Sequence, residues 1–321
     1  MTEIARDVLD NYQVRKSRAQ RERFRDYATH FAVSRGYSTT VDRAPFGARN
    51  LVVGDPNTAR VVFTAHYDTC ALLPFPNFIT PKHFMLYLIY QIALSLAILA
   101  PATVTYILLL FLLPSQPYIA SCVAYLLLLI CGASVIFGPA SKNTVNDNSS
   151  GVIALLEMID AMPEEKRGEV AFIFFDLEEM GLIGSSSYAK RHSSLFSKKL
   201  LINLDCISDG DVLLLAVKKK ATDYLGALET AFASDERMTV DIATRGVFYP
   251  SDQMAFPLGV GVAAMKRTRG GIYYMDRIHT RRDTVYREEN IAFAVESALR
   301  LVSALSENSA DSSSYYGKYL R

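Results

Sequence analysis

The stretch FFDLEEMGLIGS, residues 174–185, decides how the middle of the chain folds. It completes an apolar, strand-like run, 169–175, and then places two adjacent glutamates, Glu178 and Glu179. Neighbouring side chains on a strand point to opposite faces, so both carboxylates cannot be ordinary solvent-facing charges unless the chain leaves the sheet there. That geometry suits a functional site. The alternative is that the pair opens the next helix, where acidic residues favour the positive end of the helix dipole.

The composition is that of an ordinary globular chain. Its 321 residues are enough for one large domain or two ordinary ones. With 34 basic and 33 acidic residues, no nucleic-acid partner is expected. Cys70, Cys122, Cys131 and Cys206 show no CxxC spacing, so no disulfide framework is predicted. The N-terminus is charged from residue 3 onward and lacks a secretory signal, which predicts that the first segment stays in the cytoplasm.

One long segment departs from that composition. Residues 84–141 contain no Asp, Glu, Lys, Arg or His, and the sequence PSQP, 114–117, divides them in two. Each half supplies the roughly 20 apolar residues that a helix needs to cross a hydrocarbon core about 30 Å thick. We therefore predict a hairpin of two transmembrane helices, about 84–113 and 118–138. The alternative, a hairpin buried in protein, conflicts with so long a charge-free run.

A two-helix hairpin returns the chain to the side that it left. Residues 1–83 and 142–306 can therefore form one discontinuous domain. Lys82, His83 and Lys142 flank the open end of the hairpin, whereas its turn carries no charge. The positive-inside tendency then predicts a cell-membrane protein with two spans, whose discontinuous domain and termini are cytoplasmic.

Outside the hairpin, strand-like runs alternate with segments of helical spacing, which predicts an α/β fold. The basic opening of the chain is predicted to be a solvated helix. The Ser-rich tail, 307–321, is predicted to be disordered. The predicted strands are 50–53, 60–65, 169–175, 200–205 and 211–217, and the predicted helices are 150–161, 183–191, 222–233 and 288–306.

Several further polar residues stand at strand ends or in turns, where α/β sheets build their sites. Each has an ordinary explanation: a core histidine with a carboxylate partner, a helix N-cap, a turn residue or a surface histidine. Together, two histidines and several carboxylates are what a hydrolytic two-metal site requires, and this ligand mixture suits Zn²⁺. The residues are His66, Asp68, Asp147, Asp205 and His279, in addition to the glutamate pair.

The motifs HYDT, NDNSSG, FFDLEE, NLD and IHT, in this order, resemble the M28 family of zinc metallopeptidases, whose best known members are co-catalytic aminopeptidases. The resemblance covers roughly residues 50–305 apart from the hairpin. It implies a mixed, mostly parallel sheet flanked by helices, of the zinc-aminopeptidase or phosphorylase/hydrolase-like type, here interrupted by the hairpin. Together with the hairpin, which soluble relatives lack, it implies a membrane-anchored, zinc-dependent aminopeptidase acting on peptides or protein N-termini at the lipid bilayer.

The same resemblance assigns a role to each site residue. Two Zn²⁺ ions per chain are implied, together activating a water molecule, with Glu178 as the general base. Asp68 would orient His66, and the Asp147–Asn148 peptide bond would be cis. Asp147 would bridge the two ions, His66 and Asp205 would complete one ligand set, and Glu179 and His279 would complete the other.

Some positions depart from the family pattern and leave alternatives open. Gln253 stands where relatives often carry a histidine, and Tyr249 is the nearest candidate for stabilising the oxyanion, or else an ordinary packed aromatic. A glutaminyl-cyclase-like acyltransferase with one zinc is the main alternative function. It is weakened by the absence of tryptophan and by Ile278 before His279. A carboxypeptidase and a catalytically inactive receptor are further alternatives, and the sequence leaves the oligomeric state open.

Overall fold

The fold is centred on one mixed β-sheet. The structure is a computed structural model that describes residues 1–317, with side chains described to residue 307. In the described chain the strands lie in the order β1-β2-β4-β3-β5-β8-β6-β7, and β9 pairs with β8. The strands are β1 (Thr39–Arg43), β2 (Arg49–Val53), β3 (Val61–His66), β4 (Val170–Phe175), β5 (Leu200–Leu204), β6 (Val212–Val217), β7 (Thr239–Ala243), β8 (Gly259–Arg267) and β9 (Tyr273–Tyr274).

Helices cover both faces of this sheet. Five of them contribute side chains to the larger core on one face, and two short helices cover the other face. The larger layer consists of α1 (Glu3–Asn11), α2 (Arg18–Ser34), α5 (Gly151–Ala161), α8 (Leu225–Ala231) and α9 (Glu288–Gly317), and the smaller of α6 (Ile183–Arg191) and α7 (Ser193–Phe196). The predicted α/β fold is confirmed.

The centre of the sheet is parallel, and its strand ends coincide. β3 lies between β4 and β5 and runs parallel to both. The register pairs His66, the last residue of β3, with Phe175, the last residue of β4. All residues of β3, β4 and β5 are buried, as expected for parallel strands covered by helices on both faces. The loops that follow these strands therefore meet at one edge of the sheet.

The strand β8 lies between β5 and β6 but was not predicted. Its sequence begins GVGV, and glycine weakens a strand pattern because it offers no side chain for packing. The structure explains both glycines. A Cβ at Gly259 would lie 2.3 Å from the Gln253 carbonyl oxygen, and one at Gly261 would lie 2.7 Å from the Gln253 side-chain nitrogen.

The hairpin is formed by α3 (Phe84–Leu112) and α4 (Pro117–Phe137), close to the predicted bounds. Pro101 lies within α3, and the helix continues through it. Both helices are long and apolar enough to cross a membrane. In an apolar 18-residue stretch of each helix, only 6% is buried. Because core helices of soluble proteins are largely buried, this exposure argues against the alternative of a hairpin packed inside protein.

The two ends of the chain differ from the sequence-based prediction. The basic opening is not one solvated helix, because α1 and α2 pack on the core and Arg15 between them is fully buried. α9 continues past Ser306 to Gly317, since no helix breaker stands between them. The predicted disordered tail, 307–321, therefore overlaps α9 as far as Gly317, and its last four residues, 318–321, lie outside the described residues.

Candidate metal centre

The edge of the sheet brings together one histidine and two aspartates on the side nearest β5. His66 ends β3, Asp205 directly follows β5, and Asp147 lies in a single turn, Val145–Ser150, before α5. The His66 Nε2 atom lies 3.3 Å from Asp147 Oδ1 and 3.5 Å from Asp205 Oδ1. His66, Asp147 and Asp205 are 1%, 4% and 5% exposed, so the three groups form a buried cluster.

A second cluster uses the other oxygen of the same aspartate. The His279 Nε2 atom lies 3.1 Å from Asp147 Oδ2 and 3.3 Å from Glu179 Oε2. Glu179 lies in the turn after β4, and His279 lies in the loop before α9. Asp147 therefore presents one oxygen to the cluster of His66 and Asp205 and the other to the cluster of Glu179 and His279.

The residues present suit two metal ions. Donor atoms about 2.0–2.1 Å from a common tetrahedral centre lie about 3.3–3.4 Å apart, which matches the separations in both clusters. Moreover, Glu179 Oε1 is buried and has no hydrogen-bond partner among the described residues. A buried carboxylate oxygen of this kind requires a donor or a cation. The mixture of imidazole and carboxylate donors suits Zn²⁺ and its neighbours.

The turn after β4 is fixed by the carboxylate of Asp68. Asp68 Oδ1 accepts a hydrogen bond from the Glu178 amide at 3.0 Å, and Oδ2 accepts one from the Glu179 amide at 3.2 Å. Leu177 has a positive φ of 57°, which turns the chain away from the strand. The predicted contact of Asp68 with His66 Nδ1 is longer, at 3.5 Å. The Asp68 carboxylate therefore holds the glutamate turn, whereas the histidine Nδ1 atom lies closer to the Asp68 backbone carbonyl, at 3.2 Å.

The loop that carries Asp147 is held by residues that the sequence analysis did not single out. The Asp283 carboxylate accepts hydrogen bonds from the amides of Asn146 at 2.8 Å and Asp147 at 3.0 Å. The Asn148 side chain donates to the Leu204 carbonyl at 3.0 Å, which ties the loop to β5. The Asp147–Asn148 peptide bond is cis. Asp283 could have been noticed, because it follows His279 by four residues in IHTRRDT.

Tyr249 and Gln253 lie behind the metal centre. The Tyr249 hydroxyl donates to the Asp205 carbonyl oxygen at 3.0 Å, and the ring is 5% exposed. This hydrogen bond favours the packed aromatic over the oxyanion role. The Gln253 side chain donates to the Tyr249 carbonyl at 2.7 Å and accepts from Asn203 at 3.1 Å, so it too is committed to packing. Asp252, between them, is fully buried, and burial raises its pKa to about 7 although His66 opposes the shift.

The electrostatics of the centre follow from crowded carboxylates in a buried place. Burial raises the pKa of Glu178 well above its ordinary value, although His66 opposes the shift. Burial lowers the pKa of His66, but Glu178 and the neighbouring aspartates outweigh it, and the net shift is upward. The pKa of Glu179 is raised by burial and by Asp147, against the effect of His279. Cations would relieve this repulsion between carboxylates.

The base of the hairpin adjoins the centre. The Ser141 amide, just after α4, donates to the Cys70 carbonyl at 3.2 Å, and the Leu72 amide donates to the Pro139 carbonyl at 2.8 Å. On the other side of the same segment, the Leu73 amide donates to the His279 carbonyl at 2.8 Å. Residues 70–73 therefore connect the exit of the hairpin to the loop of a predicted metal ligand.

Known proteins resemble this chain in sequence and in fold. The family model of Peptidase family M28 matches residues 133–298, more than half of the chain. Aminopeptidase YwaD of Bacillus subtilis (strain 168) is 39% identical over 99 residues. That match spans 30% of this chain and 20% of the relative, so most of the relative lies outside it.

Solved structures share the fold at low identity. The LapA aminopeptidase of Legionella pneumophila gives a TM-score of 0.56 at 13% identity, with 94% of this chain and 69% of that chain covered. The glutaminyl cyclase of Porphyromonas gingivalis also gives 0.56, at 16% identity, with 94% and 95% covered. A leucine aminopeptidase precursor of Bacteroides thetaiotaomicron gives 0.56 at 14% identity, with 93% and 94% covered. These matches establish the fold and do not separate an aminopeptidase from a cyclase.

Proposed function

Because the chain belongs to peptidase family M28, we propose that it is a membrane-anchored, zinc-dependent aminopeptidase that hydrolyses N-terminal peptide bonds. The observation that carries this proposal is the Asp147 carboxylate, whose two oxygens face two separate histidine and carboxylate pairs. The metal ligands of the proposal are His66, Asp147, Glu179, Asp205 and His279.

Glu178 is the general base of the proposed reaction. When bound, two zinc ions would lower the pKa of a water molecule and polarise the peptide carbonyl. Glu178 takes a proton from the attacking water and later gives it to the leaving amine. Burial raises the pKa of Glu178, which makes its carboxylate a stronger proton acceptor for the first step. Asp68 positions Glu178 by accepting its backbone amide hydrogen.

The hydrolysis proposal is tested with purified full-length protein in detergent. We expect cleavage of peptides with free N-termini but not of their N-acetylated counterparts, loss of cleavage with a chelator, and recovery with Zn²⁺. Glu178→Gln should lower kcat by about 10²–10⁴-fold, because it removes the proton acceptor. Glu164→Gln, an exposed glutamate outside the site, is the matched control and should leave kcat unchanged. Cleavage of the acetylated peptides would point to a carboxypeptidase or an endopeptidase instead.

A glutaminyl-cyclase-like acyltransferase is the second candidate, since a cyclase covers this chain as completely as the aminopeptidases do. The sequence contains no tryptophan, and Ile278 is 3% exposed beside His279. Both facts favour the peptidase. Conversion of N-terminal glutaminyl peptides to the cyclised product, without hydrolysis of other free N-termini, would reverse this preference.

The proposed enzyme is held in the cell membrane by α3 and α4, with the catalytic domain and both ends in the cytoplasm. Basic residues at the open end of the hairpin support this orientation. Lys82 pairs with Asp241 at 2.6 Å, and the Lys16 ammonium donates to the Ile136 carbonyl near the end of α4 at 2.7 Å. Protease protection of tags placed at the hairpin turn and at the C-terminus tests the orientation. The turn tag alone should be accessible from outside intact cells.

Substrates close to the bilayer should have an advantage, because residues 70–73 link the hairpin to the His279 loop. Full-length protein in vesicles is offered one peptide sequence in two forms, free in solution and tethered by a lipid at its C-terminus. Confinement raises effective concentration, so the tethered form should be cleaved at least about 100-fold more efficiently. Equal efficiency would show that the hairpin only tethers the enzyme.

A further inference from the structure

A third potential donor lies beside Glu179 and His279. The Cys70 Sγ atom, a Glu179 carboxylate oxygen and a His279 ring nitrogen all lie within 4.8 Å of one another. Cys70 is 2% exposed, and it follows His66 by four residues. The ligand set implied by the family resemblance does not include this cysteine.

The backbone around Cys70 is fixed from two sides. Its carbonyl accepts the Ser141 amide at 3.2 Å, and three residues later the Leu73 amide donates to the His279 carbonyl at 2.8 Å. Ala71 forms an antiparallel bridge with Ala140. These bonds hold the segment between the hairpin exit and the His279 loop, so the thiol stays close to the second cluster.

An unpartnered oxygen points to a cation at the same place. The Glu179 side chain is 10% exposed, and its Oε2 atom faces His279. Its Oε1 atom is buried and makes no hydrogen bond to any described residue. No described residue donates a hydrogen bond to this oxygen, and the Cys70 Sγ atom and a His279 ring nitrogen lie within 4.8 Å of a carboxylate oxygen of the same side chain. Thiolate, imidazole and carboxylate together favour Zn²⁺, Co²⁺ or Cd²⁺ over Mg²⁺ and Ca²⁺.

We propose that Cys70 is an additional ligand of the metal held by Asp147, Glu179 and His279. The proposal rests on the two-metal centre of the proposed function. The bond from Sγ to the metal forms as the thiol proton passes to solvent. The two positions of the centre then differ: nitrogen and oxygen ligands hold the ion at His66 and Asp205, and sulfur joins them at the other position.

Cobalt spectroscopy tests this ligand without any activity measurement. Full-length protein in detergent is stripped with a chelator and loaded with Co²⁺. The wild-type protein should show a sulfur-to-cobalt charge-transfer band in the near ultraviolet, and Cys70→Ser should lose it while keeping the visible cobalt bands. Cys206→Ser is the matched control. Cys206 is equally buried and donates to Asp205 Oδ1 at 3.2 Å, but it lies outside the group of Cys70, Glu179 and His279. The Cys206→Ser protein should therefore keep the sulfur-to-cobalt band.

Zinc affinity gives a second measurement. Loss of a residue that only supports a ligand typically lowers metal affinity by about 10–100-fold. Loss of a direct ligand should cost no less, so Cys70→Ser should lower the affinity for one of the two zinc ions at least tenfold. A wild-type protein with visible cobalt bands but no sulfur band would overturn the role of Cys70 and leave the two-metal centre intact. A protein that binds no cobalt at all would overturn both. Persistence of the sulfur band in Cys70→Ser would also contradict the assignment.

Discussion

The hairpin and the metal centre depart from ordinary protein composition in opposite directions. The hairpin exposes apolar side chains, since only 6% of an apolar 18-residue stretch of either helix is buried. The centre buries charge, since His66, Asp147 and Asp205 are each at most 5% exposed. Each arrangement is costly unless something outside the polypeptide compensates it: hydrocarbon for the helices and cations for the carboxylates. Exposed apolar helices and buried charged groups thus each indicate what kind of partner would compensate them.

The largest expected effect comes from the residue shared by both clusters. Asp147→Asn removes the charge that faces His66 and His279, so both ligand sets are weakened together. Metal ions supply several kcal/mol of transition-state stabilisation, which corresponds to a loss of activity of about 10³-fold or more. Metal analysis should show zinc content falling from two ions per chain to fewer than one.

The control for this change is Asp241→Asn, which removes a carboxylate that pairs with Lys82 away from the centre. It should keep two zinc ions and full activity. Two zinc ions retained by Asp147→Asn would show that this aspartate does not bridge the two sites.

A buried ion pair behind the glutamate turn should give the next largest effect. Arg21 Nε lies 2.8 Å from Asp176 Oδ1, and the Asp176 side chain is 2% exposed. Arg21→Met leaves this carboxylate unpaired, which should cost about 3 kcal/mol in the free energy of unfolding. Arg18→Met, on the exposed start of the same helix, is the control and should change that free energy by less than about 0.5 kcal/mol. Urea unfolding in detergent measures both.

The same pair makes a prediction about pH. Burial raises the pKa of Asp176 from 3.8 to about 6, with Asp68 adding to the shift and Arg21 opposing it. Between pH 3.8 and about 6 the folded protein therefore binds more protons at Asp176 than the unfolded chain does. The free energy of unfolding falls as the pH rises through this range. Without Arg21 the folded pKa rises further, so Arg21→Met should destabilise the protein more at pH 8 than at pH 5. Equal destabilisation at both pH values would contradict this explanation.

The regular parts of the fold, and the meeting of several candidate site residues at one edge of the sheet, were predictable from sequence. β3, β4 and β5 are apolar runs with clear ends, and parallel neighbours place those ends at one edge. This places His66, Glu178, Glu179 and Asp205 near one another. Asp147 and His279 were different, because no predicted strand leads into either residue, and only the order of motifs suggested their roles.

The remaining parts depend on contacts between distant segments. β8 was hidden because Gly259 and Gly261 make room for Gln253, a requirement that local pattern does not show. Arg15 was assigned to a solvated helix, yet its guanidinium is fully buried and donates to the Tyr67 carbonyl at 2.5 Å. The place of Cys70 depends on the hairpin exit and the His279 loop, which are far apart in sequence.

A smaller effect should distinguish two roles for Tyr249. Its hydroxyl donates to the Asp205 carbonyl, so Tyr249→Phe should cost about 1 kcal/mol of stability. An oxyanion donor would instead lower kcat by about 10²–10³-fold. We expect the stability loss with less than about fivefold change in kcat. Tyr286→Phe is the control, because the Tyr286 hydroxyl has no hydrogen-bond partner among the described residues.

The smallest effect on chemistry should follow removal of the hairpin itself. Contacts between the rest of the protein and the hairpin lie at its base: Phe84 packs on Phe248 at 5.6 Å between ring centroids, and the Tyr90 hydroxyl donates to the Pro76 carbonyl at 2.6 Å. A variant that lacks 91–133, with Tyr90 joined to Ser134 by a short Gly/Ser linker, keeps these contacts. It should retain two zinc ions and cleave soluble peptides within about twofold of the full-length rate, as expected for a change away from buried features. Loss of zinc or of soluble activity in a folded variant would show that the helices also shape the centre, and the two regions would then be one functional unit.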